Sequence, residues 1–341
     1  MSFGNPLAEE RFKEVFKDKN ILVTGGTGLI GRQVVDILCN AGAHVKTVSL
    51  DNIKVNDKSE HVYGDLTDFK FCKDITKGID FVFHLAGVKG SLEVTKTKPA
   101  SFFVPLLQMN TNMLDSCRIN NVKKVVYTSS IGAYSSADLF KESDYCIEEP
   151  PMDMHPGWAK RMAELQIESY KIQYGLNNFA IVRPCNVYGP GDNFDPDNAM
   201  VIPSLMYRIF NSNSLEPVMI WGDGSAIRDF AYSRDVAEGI ILALHYGTDR
   251  APGGFVNLGC GRGCSIKELV EILHSFIDFE YEFDVTKSSG YPKRIMDITL
   301  AKELIHYNPK TSLLDGLRKT WNWYIKNQQE HLNKKNYFNE E

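Results

Sequence analysis

No apolar run in this 341-residue chain reaches the roughly 18 residues that a membrane-spanning helix needs. Positive charge is not in excess either. The 38 Lys and Arg are outnumbered by 43 Asp and Glu, giving a formal net charge of −5. No basic stripe therefore marks the chain for nucleic acid or an anionic lipid surface. Cysteine is sparse, odd in number and scattered: Cys39, Cys72, Cys117, Cys146, Cys185, Cys260 and Cys264. That pattern suits reduced thiols in a cytoplasmic protein rather than a disulfide framework. Cys260 and Cys264 stand close together, but no neighbouring His or Cys pair completes a zinc site, so no metal is expected. Internal repeats and low-complexity linkers are missing. The first twenty residues mix acidic and basic side chains without an apolar core, which does not read as a secretory signal. What remains is 43% hydrophobic and 24% charged, the balance of an ordinary globular protein with room for one large domain and a smaller lobe.

Apolar periodicity then alternates between strand and helix. Residues 6–18 predict a short amphipathic helix through Leu7, Phe12, Val15 and Phe16. Strands follow at Asn20–Thr24, His44–Leu50, Val62–Leu66, Phe81–Ala86, Lys124–Ser129 and Asn178–Pro184. Helices are expected at Leu29–Ala41, Ala100–Asn120 and Trp158–Tyr174. Buried strands alternating with helices imply a parallel sheet covered on both faces. After Pro184 the chain changes character. Asn186–Asn198 is rich in Gly, Pro, Asn and Asp and predicts a long loop. Helices over Val201–Asn211, Ser265–Phe276 and Ser312–Asn327 predict a second lobe, and the polar tail from Glu330 is expected to fray. The expected organisation is an α/β protein with a Rossmann-type, doubly wound parallel sheet in residues 1–184. Residues 185–341 form mainly a smaller substrate lobe, with some segments returning to the sheet.

The strongest local signal is Thr24-Gly25-Gly26-Thr27-Gly28-Leu29-Ile30-Gly31, directly after a strand and opening a helix. That context is what a dinucleotide-binding loop requires. Gly25 permits the tight turn, Gly28 lets backbone approach a pyrophosphate, and Gly31 permits close packing. The helix N-terminus offers free N–H groups to the phosphates. Thr27, Leu29 and Ile30 belong to the same loop. Asp51 ends the second strand, about 20 positions beyond Gly31, where a carboxylate can accept the adenosine ribose hydroxyls and repel a 2′-phosphate. The cofactor expected is NAD.

Further stretches carry a resemblance: Gly64-Asp65-Leu66, His84-Leu85-Ala86-Gly87, Thr128-Ser129-Ser130 and Trp158-Ala159-Lys160-Arg161. With the glycine loop they resemble the extended short-chain dehydrogenase/reductases along nearly the whole chain. The second half is most similar to the GDP-L-fucose synthases and related GDP-sugar enzymes, through Arg183-Pro184-Cys185-Asn186-Val187-Tyr188-Gly189-Pro190, Val201-Ile202-Pro203, Trp221-Gly222-Asp223-Gly224 and Arg228-Asp229-Phe230. The resemblance implies that Asp65 and Leu66 flank the adenine and that Leu85, Ala86 and Gly87 line the cofactor. Lys160 would bind the nicotinamide ribose, and Ser130 the sugar oxygen being oxidised or reduced. Asn186 would hold the substrate diphosphate, Val201 line the nucleotide pocket, Trp221 pack on the base or ribose, and Arg228 clamp a phosphate. Of Lys293 and Arg294, the planar guanidinium of Arg294 is the favoured second clamp. The implied partner is a nucleotide sugar, GDP-linked, and the implied assembly a homodimer or larger.

The departures from the family bear on the chemistry. The family's acid–base Tyr lies four residues before the Lys, on the same helical face, where the ammonium lowers its pKa. Here that position is Pro156. His155 and Tyr134 are the two stand-ins that the sequence offers, His155 being the candidate counted with Ser130 and Lys160 as catalytic. The positions of the fucose synthase His acid and Cys base hold Met200 and Gly132, and the acidic pair of the sugar dehydratases is replaced by Ile131 and Gly132. What remains is simple hydride transfer: a C4 dehydrogenase or keto-reductase for a GDP-sugar of the mannose or heptose type, its NAD recycled in place by a small keto or hydroxy acid. Two alternatives stay open: a C4 epimerase that returns the hydride, and an inactive protein that binds NAD and nucleotide sugar. The bland readings are a structural His84 and a solvated loop for Lys89, Lys96 and Lys98.

Overall fold

The computed structural model of the chain describes residues 12–212, 216–332 and 334. Its strands are β1 Asn20–Thr24, β2 His44–Ser49, β3 Glu60–Tyr63, β4 Phe81–His84, β5 Lys124–Thr128, β6 Leu139–Phe140 and β7 Phe179–Pro184. They continue as β8 Asn186–Tyr188, β9 Val218–Trp221, β10 Ile227–Tyr232, β11 Phe255–Leu258, β12 Gly263–Ser265, β13 Tyr281–Asp284 and β14 Lys293–Met296. The helices are α1 Gly31–Asn40, α2 Phe69–Ile75, α3 Leu92–Thr97, α4 Pro99–Ile119, α5 Met154–Tyr174 and α6 Val201–Asn211. Then come α7 Ser233–Tyr246, α8 Ile266–His274, α9 Thr299–Ile305, α10 Leu313–Lys326 and α11 Gln328–Leu332.

Seven strands form one sheet in the order β11-β7-β5-β4-β1-β2-β3, every neighbour parallel. This is the doubly wound architecture that the alternation implied. Strands β4 and β7 are buried along their whole length, as a sheet covered on both faces demands. Helix α4 packs against both α2 and α5, and α7 against both α1 and α9, one group for each face. The order turns back between β1 and β4, so the loops after these strands diverge and leave a crevice at their carboxyl ends. The second lobe gathers its own core from Phe194, Leu205, Met206, Leu269, Leu273 and Leu317, around a sheet with the path β12-β10-β14-β6 and a β13-β9 pair.

Strand β11, from the second half of the sequence, closes one edge of the main sheet through β7. Helix α7, without an expected counterpart, also packs on that sheet. The expected loop at Asn186–Asn198 opens with β8, which pairs with β10. Helix α5 begins at Met154, four residues before the expected Trp158. Pro156 falls in its first turn, where the missing N–H has no intrahelical partner to lose. Of the expected N-terminal helix, residues 6–11 lie outside the described residues, while 12–16 are helical. Phe12 and Phe16 are buried, Phe16 edge-on to Phe81 at 5.9 Å. Glu330, where fraying was expected to begin, lies within α11 and pairs with Arg32.

Candidate active site

A cleft of about 1200 Å³ runs from the glycine loop, past Ser130 and Lys160, to Arg228 and Arg294. Among the expected residues, Gly25, Thr27, Gly28, Leu29, Ile30, Gly31, Asp51, Asp65, Leu66, Leu85, Ala86 and Gly87 line its first half. Ser130, His155, Lys160, Asn186, Val201, Arg228 and Arg294 line the remainder, and Lys293 does not.

The glycine loop is built by close approach. Gly25 has φ +67°, and a Cβ there would meet Ala86 Cα at 2.9 Å. A Cβ on Gly31 would fall 2.1 Å from the Gly25 carbonyl oxygen, so this glycine closes the loop on itself. No side chain caps the start of α1, and Leu29, Ile30 and Gly31 bring its N-terminal end to the cleft wall. One buried network fixes the opposite wall. The Thr24 hydroxyl accepts from the Leu85 and Ala86 N–H groups, each at 3.1 Å. Its single proton must then go to His84 Nδ1 at 2.8 Å, leaving Nε2–H to donate to Asn110 Oδ1 at 3.0 Å. Burial, with the nearby Lys160 charge, lowers the His84 pKa to about 3. This histidine is a neutral brace.

The residues fit NAD. Asp51 accepts from the Thr27 hydroxyl at 2.8 Å at the rim of the cleft, placed for a ribose. Thr128 and Ser129 line the cleft, their hydroxyls buried and without hydrogen-bond partners among the described residues. Lys160 donates to the Thr128 carbonyl at 2.7 Å. Its ammonium is enclosed, and burial draws its pKa down to about 8 against the pull of Glu164.

At the far end, β10 and β14 run parallel with Arg228 and Arg294 in register. Two cations thus stand side by side. Burial, aided by the Arg294 charge, lowers the Arg228 pKa to about 10, an arrangement that an anion between them would relieve. Arg294 lies over the Tyr291 ring at 3.9 Å and donates to Asp153 Oδ1 at 3.1 Å. Asn186 donates to the Asp229 carbonyl at 3.4 Å. Val201 opens α6, whose start has no side-chain cap.

Other expected roles change. Trp221 is 61% exposed and lies outside the cleft wall, because β9 alternates and turns Val218 and Ile220 inward. Its expected packing on the base is not carried by this arrangement. Tyr134 is no acid–base stand-in, since its hydroxyl is buried and donates to Asn257 Oδ1 at 2.9 Å. His155 is exposed at the cleft mouth, edge-on to Phe103 at 6.1 Å. Lys89 and Lys96 line the cleft rather than standing in solvent alone, and Lys89 reaches the nearly buried Asp192 at 2.8 Å. Sequence reasoning missed Asp153, Asp192, Tyr291 and Lys334, all in the cleft wall. The stretch Asp192-Asn193-Phe194, which also carries the resemblance, and the run Gly290-Tyr291-Pro292-Lys293-Arg294 hinted at two of them.

A profile of the NAD dependent epimerase/dehydratase family matches residues 21–259. GDP-L-fucose synthase 1 of Arabidopsis thaliana is 31% identical over 319 residues, covering 91% of this chain and 94% of that protein. A UDP-glucose 4-epimerase of Thermotoga maritima, solved with UDP-glucose, superposes with a TM-score of 0.77 at 30% identity, over 91% of this chain and 99% of its own. MoeE5, solved with UDP-glucuronic acid and NAD, gives 0.75 at 25% identity over 90% and 99%. With the glycine loop, the switch-point crevice and the cleft in place, the chain belongs to the NAD dependent epimerase/dehydratase family and is an enzyme with NAD as its cofactor.

Proposed function

We propose that the enzyme oxidises the C4 hydroxyl of a GDP-linked sugar to a ketone, or reduces the ketone, without epimerising or dehydrating it. Bound NAD supplies the hydride chemistry. The observation that carries this reading is the layout of the cleft. Cofactor loop, Ser130, Lys160 and the Arg228–Arg294 pair line one continuous wall, while Pro156 replaces the phenol and Met200 and Gly132 stand at the positions that would move protons at carbon. Ser130 would hold the reacting sugar oxygen, Lys160 the nicotinamide ribose, and the two arginines with Asn186 the diphosphate. The fucose synthase relatives support guanine, whereas solved neighbours holding UDP-sugars keep uracil in the test. Exposed Val104, Met162 and Ile172 on α4 and α5 support a homodimer through these helices. Seven free cysteines suit a reducing, cytoplasmic compartment.

The test is a mass spectrum of GDP-mannose, GDP-heptose and UDP-glucose after incubation with the enzyme, with and without added NAD and a keto acid. Loss of two hydrogens from a GDP-sugar is the expected outcome. Loss of water, or a product of unchanged mass and inverted C4, would overturn the reading.

A further inference from the structure

The cleft has a serine and an enclosed lysine where the sugar should react, but Pro156 leaves α5 without a phenol four residues before Lys160 to receive the hydroxyl proton. The structure brings a carboxylate into the same cleft from a residue that no motif singles out. Asp153 is the residue immediately before α5, and it lines the same cleft as Ser130. A Cβ built on Gly132 would lie 2.3 Å from Asp153 Oδ2. The carboxylate therefore occupies the space that any side chain at 132 would need. Gly132 is in turn part of the Ser130 turn, its N–H donating to the Ser130 hydroxyl at 3.1 Å.

Two features hold this geometry. Gly157 lets α5 lie against the turn, since a Cβ there would fall 2.5 Å from the Gly132 carbonyl oxygen. Arg294 grips the other carboxylate oxygen at 3.1 Å. The Asp153 side chain makes no capping bond to its own helix, so its orientation is not explained by helix formation. The Gly157 N–H donates to the Asp153 carbonyl at 2.6 Å, which ties position 153 to the first turn of α5, the turn that holds Pro156. His155, next in sequence, points about 100° away from its neighbours and is exposed at the mouth.

We propose that Asp153 is the proton-transferring catalytic residue of this cleft, in place of the phenol missing at Pro156. The assignment rests on the redox reading above. In the oxidation, the sugar O–H bond breaks and its proton passes to the Asp153 carboxylate. The O–H electron pair becomes the second bond of the ketone, and the C–H pair leaves as hydride to oxidised NAD. Reduction runs the same path backward, with protonated Asp153 as the acid.

The experiment compares the wild-type holoenzyme with Asp153→Asn and Asp153→Gly. It reads single-turnover reduction of NAD on mixing with the GDP-sugar, calorimetric affinity for that sugar, and melting temperature. Asp153→Asn should slow reduction about 100-fold or more, the scale of a lost general base, with sugar affinity and melting little changed. Added formate should restore part of the rate to Asp153→Gly, because the vacated space beside Gly132 accepts a small carboxylate. Full activity in Asp153→Asn overturns the assignment and leaves the redox reading standing. Slowing that matches a loss of sugar affinity, with no rescue by formate, also overturns it and makes Asp153 a holder of Arg294. A wild-type enzyme that reduces no NAD with any sugar removes the redox reading and the assignment together.

Discussion

Lys160 combines two demands that conflict. Its ammonium is enclosed, with the Thr128 carbonyl at 2.7 Å and the Tyr127 ring at 5.2 Å, yet a ribose clamp needs the charge. Burial brings its pKa to about 8 from an ordinary 10.5. Between those values the unfolded chain holds the proton more firmly than the folded one, so stability should rise with pH through that window. Below about pH 8 the burial cost is fully present. Lys160→Met removes the buried cation. The NAD-free variant should melt higher than wild type near pH 7 and lack the gain on going to about pH 9.5. Its affinity for NAD should fall about tenfold or more with the charged hydrogen bond gone. Melting curves at the two pH values and an NAD titration check this. Identical pH behaviour in both proteins would show that the ammonium carries no burial cost.

At the scale of elements, the reaction side of the cleft depends on how α5 is seated. Arg183 of β7 is fully buried and makes two bonds to Glu164 of α5, at 3.0 and 2.6 Å. Burial opposes its charge, but Glu164 outweighs that and keeps the Arg183 pKa raised. Its guanidinium also lies 4.4, 4.2 and 3.7 Å from the Tyr134, Tyr145 and Phe255 rings. One cation thus joins α5, β7, β11 and the turn after Ser130. Glu164→Gln should destabilise the fold by about 3–5 kcal/mol, because it leaves a buried charge unpaired. Urea unfolding measures it, and a cost near zero would mean that the aromatic rings alone satisfy the arginine. The same cage explains why Tyr134 is unavailable for catalysis: its ring is wall material, and its hydroxyl is committed to Asn257.

Across the whole molecule, the last described helix returns to the first strand-to-helix loop. Glu330 of α11 pairs with Arg32, the second residue of α1, and the Arg32 guanidinium lies 5.1 Å from the Trp323 ring. Arg32 also donates to the Thr27 carbonyl at 3.1 Å, within the cofactor loop. Lys334 reaches the Gly191 carbonyl at 2.5 Å, its pKa lowered to about 8 by burial and the nearby Arg32 charge. The tail therefore spans the glycine loop and the segment that follows β8. Deleting residues 328–341 should leave the sheet folded and speed NAD release, read as the dissociation rate of bound NAD. An unchanged rate would show that the tail only rests on the surface.

Local physics decided what the sequence could determine alone. A turn needing positive φ at Gly25, the tight space at Gly31, a carboxylate after β2 and apolar strands alternating with helices are written in short runs of residues. The parallel sheet, the glycine loop and NAD follow from them. Bounds shifted by a few residues where propensity alone could not place a helix start, as at Met154. Tertiary structure decided the rest, because the remaining site residues meet only through packing. Arg228 and Arg294 become neighbours by strand register. Trp221 turns outward by alternation in β9. Lys89 finds Asp192 across 103 positions. Asp153 reaches the Ser130 turn because Gly132 and Gly157 leave it space, a vacancy that exists only once two distant segments have been folded together.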